Sequence, residues 1–184
     1  MAFQKFYTKR LFKGVTSKCI FRRNFDQEHG YKNSHTSMAS FCVKLPEHLA
    51  EEMAAEGWRI GWTKVHPDAK EGTVPEPFIK VNIYTTDDPE QAWRNPVVNE
   101  LVNGKVLKME PKEIQRLQRT NIDKISLQIR PNCSSDDFPT NGATAYLVQM
   151  NVYPLVSELD EEIEEYRDSY EKASEEDQEE EIPF

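Results

Sequence analysis

The chain holds no apolar run approaching the roughly 20 residues that a membrane-spanning helix needs, and its N-terminus carries no hydrophobic signal core. An intracellular address is the expectation, although a basic, acid-free start such as residues 1–25 is also the composition of an organelle transit peptide. Cysteine is scarce. Cys19, Cys42 and Cys133 are odd in number, widely spaced and free of a Cys-x-x-Cys pair, which excludes a disulfide framework and predicts reduced thiols. Without a secretory signal, the glycosylation pattern at Asn132-Cys133-Ser134 is accidental. No phosphate-loop lysine motif, dinucleotide glycine motif, zincin helix or serine nucleophile elbow occurs, and no internal repeat.

Candidate metal sites are equally thin. Cys19, His29, His35 and Cys42 have suitable ligand chemistry but fit no zinc spacing. Asp87-Asp88 and Asp136-Asp137 have the chemistry to hold a divalent ion for phosphodiester cleavage, but both pairs adjoin proline-containing, turn-like sequence. The expectation is a non-enzyme with no metal and no cofactor; a metal-dependent nuclease is the alternative these acids keep open.

Charge is present but segregated. The chain carries 23 Lys+Arg against 32 Asp+Glu, net −9. Residues 157–184 hold 14 of the acids against only Arg167 and Lys172, so the tail is −12 and the remainder +3. The reading is one domain over residues 1–156, long enough for a single core, and an acidic tail over 157–184. A basic body can bind a polyanion that an acidic tail restrains.

Periodicity gives the body its elements. The first 25 residues interleave Lys5, Lys9, Arg10, Lys13, Lys18, Arg22 and Arg23 with Phe3, Phe6, Tyr7, Phe12, Phe21 and Phe25. Cations neutralise phosphates and rings stack on bases, so Lys5, Lys9, Arg10, Phe12, Lys13, Arg22 and Arg23 are candidate nucleic-acid contacts. Rings of this kind also fill cores, and about half of these six are expected to do so. A loop over 26–37 precedes a strand near 40–44, then a helix from Pro46 to about Glu56 that Gly57 stops. Alternation over Trp58–Val65 predicts a strand with Trp58 and Ile60 in the core and Trp62 and Lys64 nearer a binding surface.

After a loop over 66–77, Phe78–Tyr84 alternates most clearly. Ile79, Val81 and Ile83 share one face, which leaves Phe78, Lys80, Asn82 and Tyr84 on the other. Two rings, a cation and an amide suit a sequence-tolerant grip on a single nucleic-acid strand. Residues 85–109 read as a long excursion in which Trp93-Arg94 caps a groove or packs locally. A helix over about 111–119 follows, with Ile114 and Leu117 inward. The next strand turns Ile125, Leu127 and Ile129 inward and offers Lys124 and Arg130 outward. A last strand over about 143–153 is read with Tyr146, Val148, Met150 and Val152 on one face. In the tail, Leu159, Ile163, Tyr166 and Tyr170 have the spacing of a short amphipathic helix; from Ser174 on the chain is too acidic to fold alone.

The ending, Glu179-Glu180-Glu181-Ile182-Pro183-Phe184, is a docking peptide in composition. Ile182 and Phe184 suit an apolar pocket, Pro183 stiffens the chain, and the carboxylates suit a basic rim on a partner. This tip resembles that of bacterial single-stranded DNA-binding proteins, which recruits replication, recombination and repair proteins and competes with DNA for the groove. The close match is confined to the tip, and no Gly-rich linker separates body from tail. A β-rich body with basic and aromatic patches before an acidic tail ending in Phe also looks like phage-encoded members, which implies a bacterial host cytoplasm or nucleoid.

Four or five strands, one or two short helices and no βαβ alternation predict a mainly β, OB-fold-like small barrel with an acidic C-terminal tail. The resemblance implies sequence-tolerant binding and protection of single-stranded DNA, with no membrane partner. Homo-oligomerisation stays open. The alternative from another class is an adaptor that mimics such a tail without binding DNA.

Overall fold

Alternating burial writes most of the architecture. Ile79, Val81 and Ile83 are at most 1% exposed, and so are Leu127 and Ile129, with Ile125 at 2%. In each run the intervening side chains face outward, apart from Asn82, which is itself buried. The result, a computed structural model, describes residues 9–26, 36–132, 142–156 and, in the tail, 162, 163, 165–167 and 169. Its strands are β1 (Arg10–Thr16), β2 (Ile20–Asn24), β3 (Thr36–Lys44), β4 (Gly61–Trp62), β5 (Pro77–Thr86), β6 (Val97–Val102), β7 (Lys105–Lys108), β8 (Ile122–Asn132) and β9 (Thr144–Pro154). One α-helix, α1 (Glu47–Glu56), follows β3.

All nine strands join one sheet, in the order β1-β8-β9-β5-β3-β2, with β4 added to β5, β6 to β9 and β7 to β6. The sheet is mainly antiparallel, but β9 runs parallel to β5 at Ala145 and Tyr146, then parallel to β6 from Gln149 to Val152. The protein is therefore mainly β, as expected. The expected closed barrel is not formed among the described residues, because the pairing path ends on β1 and β2. Those two ends are consecutive in the chain, separated only by a 3-10 turn at Ser17–Cys19.

Several elements differ from the sequence reading, each for a local reason. β3 starts at Thr36, inside the expected loop. Only Gly61–Trp62 of the expected 58–65 strand pairs as one, while Trp58 is 4% exposed and Ile60 packs partly buried against the core. The helix over 111–119 is a 3-10 helix, Pro111–Gln118; three residues per turn put Ile114 and Leu117, three apart, on one buried edge. Residues 85–109 contain a hairpin, β6–β7, turned by Asn103 and Gly104 at φ 49° and 75°.

The last strand carries the largest correction. β8 advances one residue, Gln128 to Ile129, while β9 moves two, Gln149 to Leu147. Val148 is the extra residue of a β-bulge, and it shifts the phase of the strand. Leu147, Met150 and Val152 turn inward, and Tyr146 goes outside, so Tyr146 does not share a face with Met150 and Val152 as its spacing implied.

α1 begins after Pro46 and ends at Gly57, whose φ of 106° only glycine adopts without strain. Ala50 and Met53 bury its inner face. The chain divides into two units, Met1–Pro154 and Leu155–Phe184. In the second, the described residues 162, 163, 165–167 and 169 are helical, with Ile163 and Tyr166 exposed; Leu159 and Tyr170 lie outside the described residues. Among the described residues, no helix is long and apolar enough to cross a membrane.

Candidate nucleic-acid interface

The outward face of β5 ends at Tyr84, and the chain there turns back in a way that fixes the next two side chains. Asn95 acts as the clasp: its amide nitrogen donates to the Thr86 carbonyl at 2.9 Å, and its Oδ1 accepts the Thr86 N–H at 2.8 Å. The 3-10 turn Ala92–Arg94 is thereby tied to the strand end. It presents Trp93, 77% exposed, with the Arg94 guanidinium carbon 5.0 Å from the ring centroid. On the neighbouring strands, Arg130 of β8 stands opposite Tyr146 of β9, 5.3 Å from its ring.

These groups converge on one cleft of about 600 Å³. Lys9, Tyr84, Trp93, Arg94, Arg130 and Tyr146 line it, and among the described residues no acid does. Three rings and three cations without a carboxylate have the chemistry to attract phosphates and to stack bases. Of the residues singled out in the sequence, this cleft brings together Lys9, Tyr84, Trp93 and Arg130.

A second cluster lies at the other end of β5. Phe21 and Phe78 meet edge to face at 5.3 Å, and the Arg22 guanidinium carbon lies 5.3 Å from the first ring and 5.1 Å from the second. Lys44 approaches Phe21 at 5.8 Å while pairing with Glu76 at 2.7 Å. Gly61 is required here, since an added Cβ would lie 2.5 Å from the Phe78 ring. Trp62, 49% exposed, follows it, and Lys64 and Lys80 are exposed. Burial pushes the thiol of Cys42, which pairs with Lys80 across the strands, up from its ordinary pKa, against the opposing charges of Arg22 and Lys80.

Other expected contacts are placed elsewhere. Phe12 is a core residue, 9% exposed, so its ring is not a stacking surface. Arg10 is held by two carboxylates of α1: it donates to Glu52 at 2.8 Å and, through Nε, to Glu56 at 3.1 Å, with a further contact from Nη2 to Glu56. The Glu56 hydrogen bond is the main reason its pKa is raised. Arg23 donates to the Thr120 carbonyl at 3.2 Å, Lys13 is exposed, and Lys124 sits 5.0 Å from the Tyr153 ring. Lys5 and the tip, Glu179, Glu180, Glu181, Ile182, Pro183 and Phe184, lie outside the described residues.

Among the described residues, no group of three His, Cys, Asp or Glu side chains is placed to hold a metal. Asp88 shapes a turn, its Oδ1 accepting the Glu90 N–H at 3.0 Å. His29, His35, Cys133, Asp136 and Asp137 lie outside the described residues.

Tyr146 is the cleft residue that sequence reading missed, because nothing local announces the bulge at Val148. Arg94 was legible only as the neighbour of Trp93. Compared with known proteins, the chain matches no protein-family model and no curated protein.

Proposed function

We propose that the body binds single-stranded DNA with little sequence preference, protecting it during replication, recombination or repair, and that the C-terminal tip recruits partner proteins to it. The cleft carries the DNA-binding part of this reading. Tyr84, Trp93 and Tyr146 gather beside Lys9, Arg94 and Arg130 with no carboxylate among them. Such a site grips backbone and bases without reading base edges.

An OB-fold-like reading of the sheet agrees with it. Taking β1 and β2 as one strand bent at Ser17–Cys19, the pairing circuit β2-β3-β5-β9-β8-β1 returns to its start. β5 and β9 are then the third and fifth strands and run parallel, as in the five-stranded Greek-key barrel of that fold. The recruitment part rests on the tip: acids followed by Ile182, Pro183 and Phe184 are the chemistry of a peptide that fills an apolar pocket with a basic rim.

The test is a titration with oligo(dT) followed by tryptophan fluorescence. Trp58 is buried, so a stacking response comes from Trp93 and Trp62. Quenching that weakens with added salt is the expected result; no quenching and no gel shift at low salt would falsify DNA binding by the body.

A further inference from the structure

Eight outward residues of the β8–β9 ladder, in four cross-strand pairs, form a pattern that repeats end to end. Arg130 stands directly opposite Tyr146, and Lys124 directly opposite Tyr153. In each pair the cation lies over the ring, at 5.3 Å and 5.0 Å. Between them come Ser126 opposite Asn151 and Gln128 opposite Gln149, hydroxyl and amide side chains only.

The bulge is what aligns the two ends. Tyr146 and Tyr153 are seven residues apart, an odd number that would put them on opposite faces of a regular strand. Val148 adds one residue to β9, while Lys124 and Arg130 keep an even spacing on β8. Both cation–tyrosine pairs therefore share the outer face.

Charge on this face points to the occupant. β1, β8 and β9 contain a single acid, Asp123, at the far end of β8. Lys13, Lys124 and Arg130 are exposed cations of the same strands. A polyanion is accommodated along the whole length, and the neutral amides in the middle offer donors and acceptors to any base.

We infer that Lys124 and Tyr153 form a second stacking station for single-stranded DNA, so that a bound strand leaves the cleft and runs along the outer face of β8 and β9. This inference rests on the proposed DNA binding by the cleft. The two stations are about 20 Å apart, six residues of β8 at roughly 3.3–3.4 Å each. A short oligonucleotide occupies the cleft alone, where rings and cations are densest, and a longer one reaches Tyr153.

The experiment compares oligo(dT) of about 4 and about 16 nucleotides, the span of site sizes for single-strand-binding OB folds, by fluorescence anisotropy with the full chain. Tyr153→Ala and Lys124→Glu are each expected to weaken the longer oligonucleotide about tenfold and leave the shorter within about twofold. Tyr153→Phe keeps the ring and is expected to bind as wild type. Lys124 is exposed, so its substitution reads the surface even where Tyr153→Ala unfolds the strand end. Equal weakening of both lengths, or none for the longer, overturns the station while the cleft stands. A wild-type chain that binds neither length overturns the cleft and the station together.

Discussion

Trp93 and Arg10 both come from basic, aromatic sequence, yet the structure gives them opposite tasks. Trp93 is 77% exposed on a turn clasped by Asn95, whereas Arg10 joins β1 to Glu52 and Glu56 of α1. If Trp93 stacks on a base as proposed, Trp93→Ala removes about 1–3 kcal/mol, so affinity for oligo(dT) is expected to fall about fivefold or more while the thermal unfolding midpoint barely moves. Arg10→Ala should do the reverse. Glu52 is 59% exposed and water screens the pair, so the loss is about 0.5–1 kcal/mol of stability, a midpoint lower by roughly 1–4 °C, with DNA affinity within about twofold. Anisotropy and calorimetry on both variants separate the two roles. A tenfold loss of DNA affinity in Arg10→Ala would return that residue to the binding surface.

At the scale of elements, what the sequence announced and what it hid divide along one physical line. Ile79, Val81 and Ile83, and Ile125, Leu127 and Ile129, alternate without interruption, so their strands and inward faces were legible. Gly57 marked the end of α1. The β6–β7 hairpin was also written, in Asn103-Gly104, a pair that tolerates the left-handed conformation both turn positions adopt. That signal passes unread inside a segment taken as one long loop. The bulge at Val148 has no such mark, because its extra residue is chosen by pairing with β8 rather than by the local chain. The outward position of Tyr146, and with it one wall of the cleft, was therefore not available from periodicity.

The hairpin offers a clean test of turn chemistry. No atom lies within 4 Å of a Cβ added at Gly104, so Gly104→Ala meets no clash and its cost is backbone strain alone, at φ 75°. The expected loss is about 1–2 kcal/mol, read by chemical denaturation, with oligo(dT) affinity unchanged because neither β6 nor β7 lines the cleft. A stability equal to wild type would mean that this turn opens before the rest of the sheet.

At the scale of the whole molecule, charge is separated between body and tail, and the proposed DNA binding is expected to depend on it. The full chain is −9, but a chain ending at Val156 carries +3, since residues 157–184 hold 14 acids and two bases. If the body binds DNA as proposed, the complete protein meets it at low ionic strength as a net anion, and an acidic tail is expected to compete for the cations that phosphates neutralise. Removing residues 157–184 is thus expected to tighten oligo(dT) binding at low salt. Screening shortens the reach of the tail to about 8–10 Å near 0.1–0.15 M salt, so the difference between the two chains narrows as salt rises. Both chains are still expected to lose affinity with salt through counterion release, with a slope near −0.7 per phosphate neutralised on a single strand. Arg94→Ala and Arg130→Ala each reduce that slope by about 0.7 in the tail-less chain if each cation holds one phosphate. Equal affinities of the long and short chains at every salt concentration would show that the tail does not reach the DNA site, and would leave the acidic segment to recruitment alone.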